Sequence, residues 1–325
     1  LIEMKKILIV GAGGQIGSEL VPHLRSIYGN NNVVAADISA EKCKALAEAG
    51  PFEELNALDG EGFSAIVKKY NIDTIFNLVA LLSATGEKNP KLAWDINIGA
   101  LTNSLYIAKD NNCAVFTPSS IGAFGNDTPK DKTPQDTLQR SNTTIYGVCK
   151  VTGELLSDYY FNRFGVDTRS VRFPGLISYV TLPGGGTTDY AVEIYYDAIR
   201  KGSFTCNVKE GTYMDMMYMP DALNAVVQLM EADPSKLKHR NSFNIASMSF
   251  EPEQIAAEIR KHLPDFKMDY QIDPVKQAIA NSWPNSMDDT CAREEWGWAP
   301  KFDLTSMTND MLIKVKEKFD KGLIK

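Results

Sequence analysis

Apolar runs alternate with helical patterns along roughly the first half of the chain. The run Ile7–Val10 is apolar at every position, which is typical of a strand buried on both faces. Because strand and helix patterns then alternate, the sequence predicts an α/β fold with a doubly wound parallel sheet of the Rossmann type. The predicted strands lie within residues 7–10, 32–37, 51–59, 72–80, 113–120 and 166–175, and predicted helices include 40–49, 61–70 and 95–109.

The pattern changes after Pro174. A glycine-rich segment is followed by an amphipathic helix pattern, and the C-terminal part reads as helix, strand and helix without a clean linker. We therefore predict a second, smaller domain whose chain crosses back and forth. The predicted division is 1–175 with 210–247 returning to it for the first domain, and 176–209 with 248–325 for the smaller one.

Two unusual segments read as structural. Residues 125–143 are polar and contain two prolines, which predicts a long surface loop. The methionine-rich segment 213–230 predicts a core strand followed by a helix that Asp221 caps, since methionine fills irregular apolar gaps.

Composition limits the partners. The formal net charge is −7, and no apolar run is long enough to cross a bilayer. A nucleic-acid partner needs a basic face, so we expect neither nucleic acid nor a membrane as partner. We expect a cytoplasmic protein, or one of the mitochondrial matrix if the source is eukaryotic.

Cysteine and histidine are sparse and scattered. The five cysteines show no C-x-x-C or Cys/His spacing that is typical of zinc, and the three histidines lie far apart in the sequence. We therefore expect reduced thiols, no metal site and no Ser-His-Asp site.

A glycine cluster follows the first strand directly. In "GAGGQIG" the register G-x-x-G-x-x-G fits Gly11, Gly14 and Gly17. Glycines at this point allow a tight turn and a close approach of the backbone to a pyrophosphate at a helix N-terminus. The order strand, glycine turn, helix therefore predicts a dinucleotide site.

A carboxylate closes the second predicted strand. Asp37 stands twenty residues past Gly17, where it can accept from both hydroxyls of an adenosine ribose and would repel a 2′-phosphate. The nearest basic residue is Lys42, so the sequence favours NAD over NADP. Asp59 ends the third strand pattern and reads by itself as a helix cap rather than a ligand.

Tyr146 and Lys150 stand four residues apart in "TTIYGVCKVTGE", a run with helical character. That spacing places both side chains on one face of a helix. The spacing alone does not distinguish a catalytic pair from an ordinary helix surface. Its position after "TPSS" and downstream of the glycine turn favours the catalytic interpretation.

These features together resemble the extended short-chain dehydrogenase/reductase family over essentially the whole chain. The supporting segments include "FNLVA" and "DINIGALTNSLYIA". Within the family, the resemblance extends to the NAD-dependent L-threonine 3-dehydrogenases of the short-chain type. It rests on "PSSIGAFG", "RFPGLISY", "PGGGTTDYAVEIYYDAI", "NSWPNSMDD" and "AREEWGW".

The resemblance implies a role for each motif residue. Tyr146 would be the general base, Lys150 would bind the nicotinamide ribose and stabilise the tyrosinate, and Ser120 would bind the substrate oxygen, with Ser119 as the alternative. Asn97 would hold the helix geometry and a water relay behind Lys150. The residues expected at NAD, besides Tyr146 and Lys150, are Gly11, Gly14, Gln15, Ile16, Gly17, Asp37, Asp59, Leu78 and Ala80.

An amino-acid substrate needs partners for its carboxylate and ammonium groups. The segment "GGGTTDY" offers backbone N–H groups together with Gly186, Thr187 and Thr188, and "LLSAT" offers Ser83 and Thr85. We expect L-threonine as substrate and the glycine-rich segment to close over it, as the family implies.

Two other functions share the fold. A nucleotide-sugar epimerase or dehydratase tends to carry an arginine for the diphosphate where this chain has Met214, and a dehydratase carries acidic residues beside its catalytic Ser/Thr, which "SSIGAF" lacks. A non-enzymatic, cofactor-sensing regulator tends to lose the catalytic tyrosine, which is present here. The family also implies a homodimer formed through the helices that contain residues 97–108 and 146–161.

Overall fold

The computed structural model describes residues 4–137 and 141–324 and has the predicted alternation of strands and helices. The strands are β1 Ile7–Val10, β2 Val33–Asp37, β3 Phe52–Glu54, β4 Thr74–Asn77, β5 Ala114–Phe116, β6 Ser119–Ser120, β7 Thr168–Arg169, β8 Val171–Phe173, β9 Gly175–Ile177, β10 Ser203–Cys206, β11 Met214–Tyr218, β12 Phe243–Asn244, β13 Met248–Phe250 and β14 Lys267–Tyr270. The helices are α1 Gly17–Tyr28, α2 Lys44–Ala49, α3 Gly60–Lys69, α4 Ser83–Gly86, α5 Pro90–Asn111, α6 Ile145–Phe164, α7 Tyr190–Lys201, α8 Met219–Glu231, α9 Pro252–His262, α10 Pro274–Ser282, α11 Thr290–Trp296 and α12 Leu304–Asp320.

Six parallel strands form the main sheet in the order β3-β2-β1-β4-β5-β7, which confirms the Rossmann-type prediction. The order reverses between β1 and β4. In such a sheet the crevice beyond the carboxyl ends of these two strands is where ligands bind. The glycine turn follows β1, and residues Leu78–Ala80 follow β4, so both predicted cofactor segments meet at this crevice.

Helices cover both faces of the sheet. Helices α1 and α8 pack on one face through residues such as Leu20, Leu24 and Val226. Helices α3 and α5 pack on the other through residues such as Phe63 and Leu105. Apolar burial on both faces explains why the central strands are continuous apolar runs.

The C-terminal part has a separate core. It gathers α7, β11, α9 and α12 around side chains such as Tyr190, Tyr195, Phe250 and Met311. Small sheets border it, formed by β13-β11-β9 and by the parallel pair β10-β14. The predicted domain bounds stay a prediction.

Three predictions about individual segments need correction. The segment 113–120 contains two strands, β5 and β6, rather than one. Within the loop 125–143, Thr133 and Gln135 are buried, because their polar groups bond to the segment around Asn244. Asp221 does not cap α8: its carboxylate accepts from the backbone N–H groups of Lys301 and Phe302 instead.

In the described residues, no helix combines the length and apolar character that crossing a bilayer requires.

Candidate active site

A cavity lies at the crevice where β1 and β4 end. It brings together residues from the glycine turn, the ends of β4 and β6, helix α6 and the segment after β9. The predicted site residues that line it are Gln15, Ile16, Leu78, Ala80, Ser83, Asn97, Ser119, Ser120, Tyr146, Lys150, Gly186, Thr187 and Thr188. One concave site therefore unites most of the residues that the sequence nominated.

The glycine turn allows its backbone to pack on itself. A Cβ on Gly17 would lie 2.5 Å from Gly11 O and 2.7 Å from Ala12 Cα, so only glycine fits there. Helix α1 begins without a side-chain cap. The N–H groups of Ser18 and Glu19 donate to the carbonyls of Gly14 and Ile16. The positive end of the helix dipole still favours an anion such as a phosphate at this terminus.

Asp37 lies against the glycine turn, whereas Asp59 does not contact it. The Asp37 carboxylate accepts from the N–H groups of Gly13 at 2.8 Å and Ser39 at 2.9 Å. Asp59 caps α3 by accepting from Gly62 N–H at 3.0 Å, as its sequence position predicts. The described cavity lining includes neither carboxylate, so both cofactor roles stay predictions.

Tyr146 and Lys150 occupy the first turns of α6. Thr144 caps this helix by accepting from Gly147 N–H at 3.0 Å, which fixes where the helix begins. The Lys150 ammonium lies 5.3 Å from the centre of the Tyr146 ring and donates to Pro118 O at 2.7 Å. A cation held at this distance stabilises negative charge on the phenol oxygen.

The two serines of β6 have different partners. Ser119 donates to the buried carboxylate of Glu154, which is also held by Arg172 through two hydrogen bonds of 2.9 and 3.0 Å. Ser120 Oγ accepts from Gly122 N–H at 3.0 Å and keeps its own proton available for donation. Gly122 in turn lies against the Tyr146 ring. Because Ser119 already has an acceptor, Ser120 is the better donor to a ligand in the cavity.

Asn97 ties α5 to the segment after β4. Its side chain accepts from Leu81 N–H at 2.7 Å and donates to Leu81 O at 3.2 Å. This geometry fits the expected role in holding the local backbone, while the water relay stays a prediction.

A second wall is formed by residues 184–189, which we call the threonine loop. Ser83 and Thr187 pair through their hydroxyls at 3.1 Å, and Thr85 donates to Gly184 O at 3.4 Å. A Cβ on Gly185, whose φ is +98°, would lie 2.4 Å from Thr85 Oγ1. The threonine loop is therefore closed against α4.

Two backbone N–H groups of the threonine loop have a partner within the loop. Gly185 and Gly186 donate to Asp189 Oδ2 at 3.0 and 2.7 Å. The expectation that N–H groups of this loop bind a substrate carboxylate stays a prediction. Burial raises the pKa of Asp189 above its ordinary value, and these two hydrogen bonds act in the opposite direction.

The segment that leads into the threonine loop is fixed to α1. Ser178 donates to Glu19 Oε2 at 2.5 Å, and the hydroxyls of Ser18 and Thr181 lie 3.1 Å apart. Burial raises the pKa of Glu19 to about 7, while the bond from Ser178 and the charge of Lys318 partly lower it. The helix that follows the glycine turn therefore carries one end of the cavity wall.

Sequence reasoning missed several lining residues. Among them are Thr117 and Trp283. Thr117 Oγ1 and Trp283 Nε1 are buried without a partner in the described part of the chain, and so is Nε2 of the predicted residue Gln15. Buried polar atoms are normally paired, so three unpaired atoms around one cavity indicate a polar ligand. The segments "TPSS" and "NSWPNSMDD" contain two of these residues, but their spacing gave no reason to single them out.

Comparison with known proteins gives a consistent family. The model of the NAD dependent epimerase/dehydratase family matches residues 7–246. A Staphylococcus haemolyticus protein described as an uncharacterized epimerase/dehydratase is 58% identical over 315 residues, covering 97% of this chain and 99% of that protein.

Two solved structures extend the comparison. The L-threonine dehydrogenase of Clostridium difficile is 57% identical with a TM-score of 0.95, covering 98% of this chain and 99% of the other. A monomeric L-threonine 3-dehydrogenase from a metagenome is 44% identical with a TM-score of 0.91, covering 96% and 99%. The chain therefore belongs to the NAD-dependent epimerase/dehydratase family of extended short-chain dehydrogenases/reductases.

Proposed function

We propose that this protein oxidises L-threonine to 2-amino-3-ketobutyrate with NAD. The observation that carries the proposal is the convergence of Tyr146, Lys150 and Ser120 on one cavity that also adjoins a glycine turn. Similarity to L-threonine dehydrogenases over almost the whole chain supports the choice of substrate.

The residues around the glycine turn fit NAD. The backbone packing at Gly17, the uncapped start of α1 and the unpaired Gln15 amide suit a pyrophosphate and its neighbouring groups. Asp37 would accept from the adenosine ribose hydroxyls, as a carboxylate at the end of the second strand does in this fold. When bound, NAD supplies the acceptor for the two electrons and the hydrogen that leave the substrate carbon.

Proton removal falls to the chain itself. Tyr146 Oη takes the proton of the substrate hydroxyl, and the Lys150 cation stabilises the tyrosinate that acts as base. The bond from Lys150 to Pro118 O keeps the ammonium beside the ring. Ser120 Oγ donates to the substrate oxygen, which orients the hydroxyl toward Tyr146.

The remaining walls suit a small polar substrate. The hydroxyls of Ser83, Thr187 and Thr188 would contact the carboxylate and ammonium groups of the amino acid, in place of the occupied N–H groups of the threonine loop. Met214, where nucleotide-sugar enzymes tend to carry arginine, is buried in the second core. The closed loop and the apolar Met214 favour an amino acid over a nucleotide sugar.

The test of substrate is NAD reduction with L-threonine beside L-serine, L-allo-threonine and a UDP-hexose. We expect turnover to be fastest with L-threonine. The alternative is epimerase or dehydratase activity, which the family description names. Turnover of the UDP-hexose without turnover of threonine would replace this proposal with the epimerase/dehydratase function.

The test of mechanism is Tyr146→Phe. Loss of the general base should lower kcat by about 1,000-fold or more, while NAD affinity changes little because the ring is kept. Tyr213→Phe, at an exposed position just before β11, is the matched control and should keep full turnover. An active Tyr146→Phe variant would show that another group is the base.

We also propose that α5 and α6 mediate a homodimer. These helices pack side by side and expose large apolar side chains that a partner copy would cover: Trp94, Tyr106, Leu155 and Tyr159. A relative described as monomeric makes sedimentation at several protein concentrations the direct test. If Leu155→Glu does not change the measured mass, this face is not the interface.

A further inference from the structure

We propose that His239, Cys291 and Glu295 form a binding site for Zn²⁺ outside the cavity described above. One ligand atom from each residue lies within 4.8 Å of the others. His239 precedes β12, whereas Cys291 and Glu295 lie on α11, so the three come together only in the folded chain.

Their arrangement suits a divalent metal. Cys291 and Glu295 are four residues apart on one helix and therefore project from the same face. On that face His239 Nδ1 and Glu295 Oε1 form a hydrogen bond of 2.5 Å, and an ion would have to enter between these two atoms. An imidazole nitrogen, a thiolate and a carboxylate oxygen are the ligand types that Zn²⁺ prefers, with a water in the fourth position.

The surrounding hydrogen bonds orient two of the three ligands. Glu295 Oε2 accepts from the N–H groups of Lys238 at 2.7 Å and His239 at 3.0 Å, so the metal would bind Oε1 in place of its present hydrogen bond with His239 Nδ1. His239 Nε2 lies 3.2 Å from Asp136 Oδ2. With the metal on Nδ1, the ring proton stays on Nε2 and donates to Asp136, which is the usual outer-shell support of a metal-bound histidine.

Charge favours a cation here. Burial and then the carboxylates of Glu295, Asp136, Asp288 and Glu294 raise the pKa of the Cys291 thiol, and the same four carboxylates attract a cation. Zn²⁺ would replace the thiol proton of Cys291 and the proton held between His239 Nδ1 and Glu295 Oε1, and both protons are released to solvent. The metal would join the segment before β12 to α11 and, through Asp136, to the loop that begins at residue 125.

Metal binding is measured on the full chain after treatment with EDTA and removal of the chelator. We expect one Zn²⁺ per chain by elemental analysis and a rise in Tm of about 5 °C with excess Zn²⁺. Substitution with Co²⁺ should give the visible bands of a tetrahedral site and a thiolate-to-cobalt charge-transfer band. The proposal is wrong if the chain retains no zinc and if Co²⁺ produces none of these bands.

Variants assign the ligands. Cys291→Ser and His239→Gln should each weaken binding by about 100-fold, and Cys291→Ser should abolish the charge-transfer band. Asp136→Asn should weaken binding by about 10-fold; because this side chain is 79% exposed, the change leaves the fold intact. His262→Gln, at an exposed position, is the matched control and should change nothing. Binding that survives all three site variants would place the metal elsewhere.

Discussion

The two ends of the cavity differ in the groups that form their walls. At the cofactor end the cavity adjoins the glycine turn, a wall of backbone in which Gly17 packs directly on the Gly11 carbonyl. At the substrate end the wall is made of side-chain hydroxyls and a carboxylate, and the pair Ser83 and Thr187 joins segments 104 residues apart. The cofactor end is therefore limited by space, whereas the substrate end is limited by hydrogen bonds between distant segments.

Because of this difference, substitutions at the two ends should have different effects. A backbone wall tolerates no added atoms but needs no partner side chain. A wall of hydroxyl groups tolerates small changes of shape, but the loop is no longer held closed when one hydrogen-bond partner is removed. Variants at the two ends should therefore separate NAD affinity from threonine affinity.

The largest effect on stability is expected at the buried pair of Glu154 and Arg172. Glu154→Ala would leave Arg172 buried without its carboxylate and release Ser119, lowering the free energy of unfolding by about 4 kcal/mol. Chemical denaturation measures this loss. The double variant Glu154→Met with Arg172→Met should recover part of it, because no unpaired charge remains. A loss as large in the double variant would mean that packing, not charge, matters here.

The next effect tests the backbone wall. Gly17→Ala places a Cβ against backbone atoms that cannot move away cheaply, so NAD affinity should fall by about 100-fold. NADH fluorescence titration measures the affinity. Gly60→Ala is the matched control, since a Cβ there would meet nothing closer than 3.5 Å. Equal losses in both variants would remove the steric distinction between the two ends.

A buried carboxylate on β11 makes the stability of the fold sensitive to pH. Burial raises the pKa of Asp215 to about 8. The folded chain favours the protonated form of Asp215. The stability that this group contributes is complete below its ordinary pKa and is lost as the pH rises through about 8.

Asp215→Asn keeps an acceptor for Met287 N–H and removes this loss. The variant should gain about 2 kcal/mol of unfolding free energy relative to the wild type between pH 6.5 and pH 9, because the wild type loses about 1.4 kcal/mol per pH unit up to pH 8. Thermal unfolding across that range measures the gain. Asp269→Asn, at an exposed position, should follow the wild-type profile. A parallel profile for Asp215→Asn would contradict the assignment.

The smallest effect concerns the closure itself. Ser83→Ala and Thr187→Val remove the two partners of one hydrogen bond, so a double-mutant cycle should give a coupling of about 1 kcal/mol. We expect KM for L-threonine to rise about 5-fold with NAD affinity unchanged. An equal rise in the dissociation constant of NAD would show that the ends are not independent.

The sequence could predict the cofactor end because its signals are local. The apolar strand, the glycine register and Asp37 fall within thirty-one positions (7–37), and strand β2 lies beside β1 as a parallel sheet requires. The Tyr146 and Lys150 pair likewise follows from helical spacing within one element.

The substrate end was less accessible because its contacts cross the chain. Ser119 and Ser120 are adjacent on one strand, and the pattern did not say which hydroxyl can donate to a ligand. Glu154 on α6 decides this, because it accepts from Ser119. Asp221 resembled a cap until the backbone at Lys301, eighty positions later, became its partner. The candidate zinc ligands were hidden for the same reason, since His239 and Glu295 are 56 positions apart.

Asp189 links the threonine loop to a much larger body. This residue directly precedes α7, and its carboxylate holds the N–H groups of Gly185 and Gly186 instead of capping that helix. Helix α7 is packed into the C-terminal core, while Thr181 on the other side of the loop is bonded to α1. The loop is therefore a strap held at both ends by packed helices, and opening it breaks the hydrogen bonds of Asp189 and Thr181. Under the proposed function, we expect this opening to take the microseconds to milliseconds typical of active-site loops.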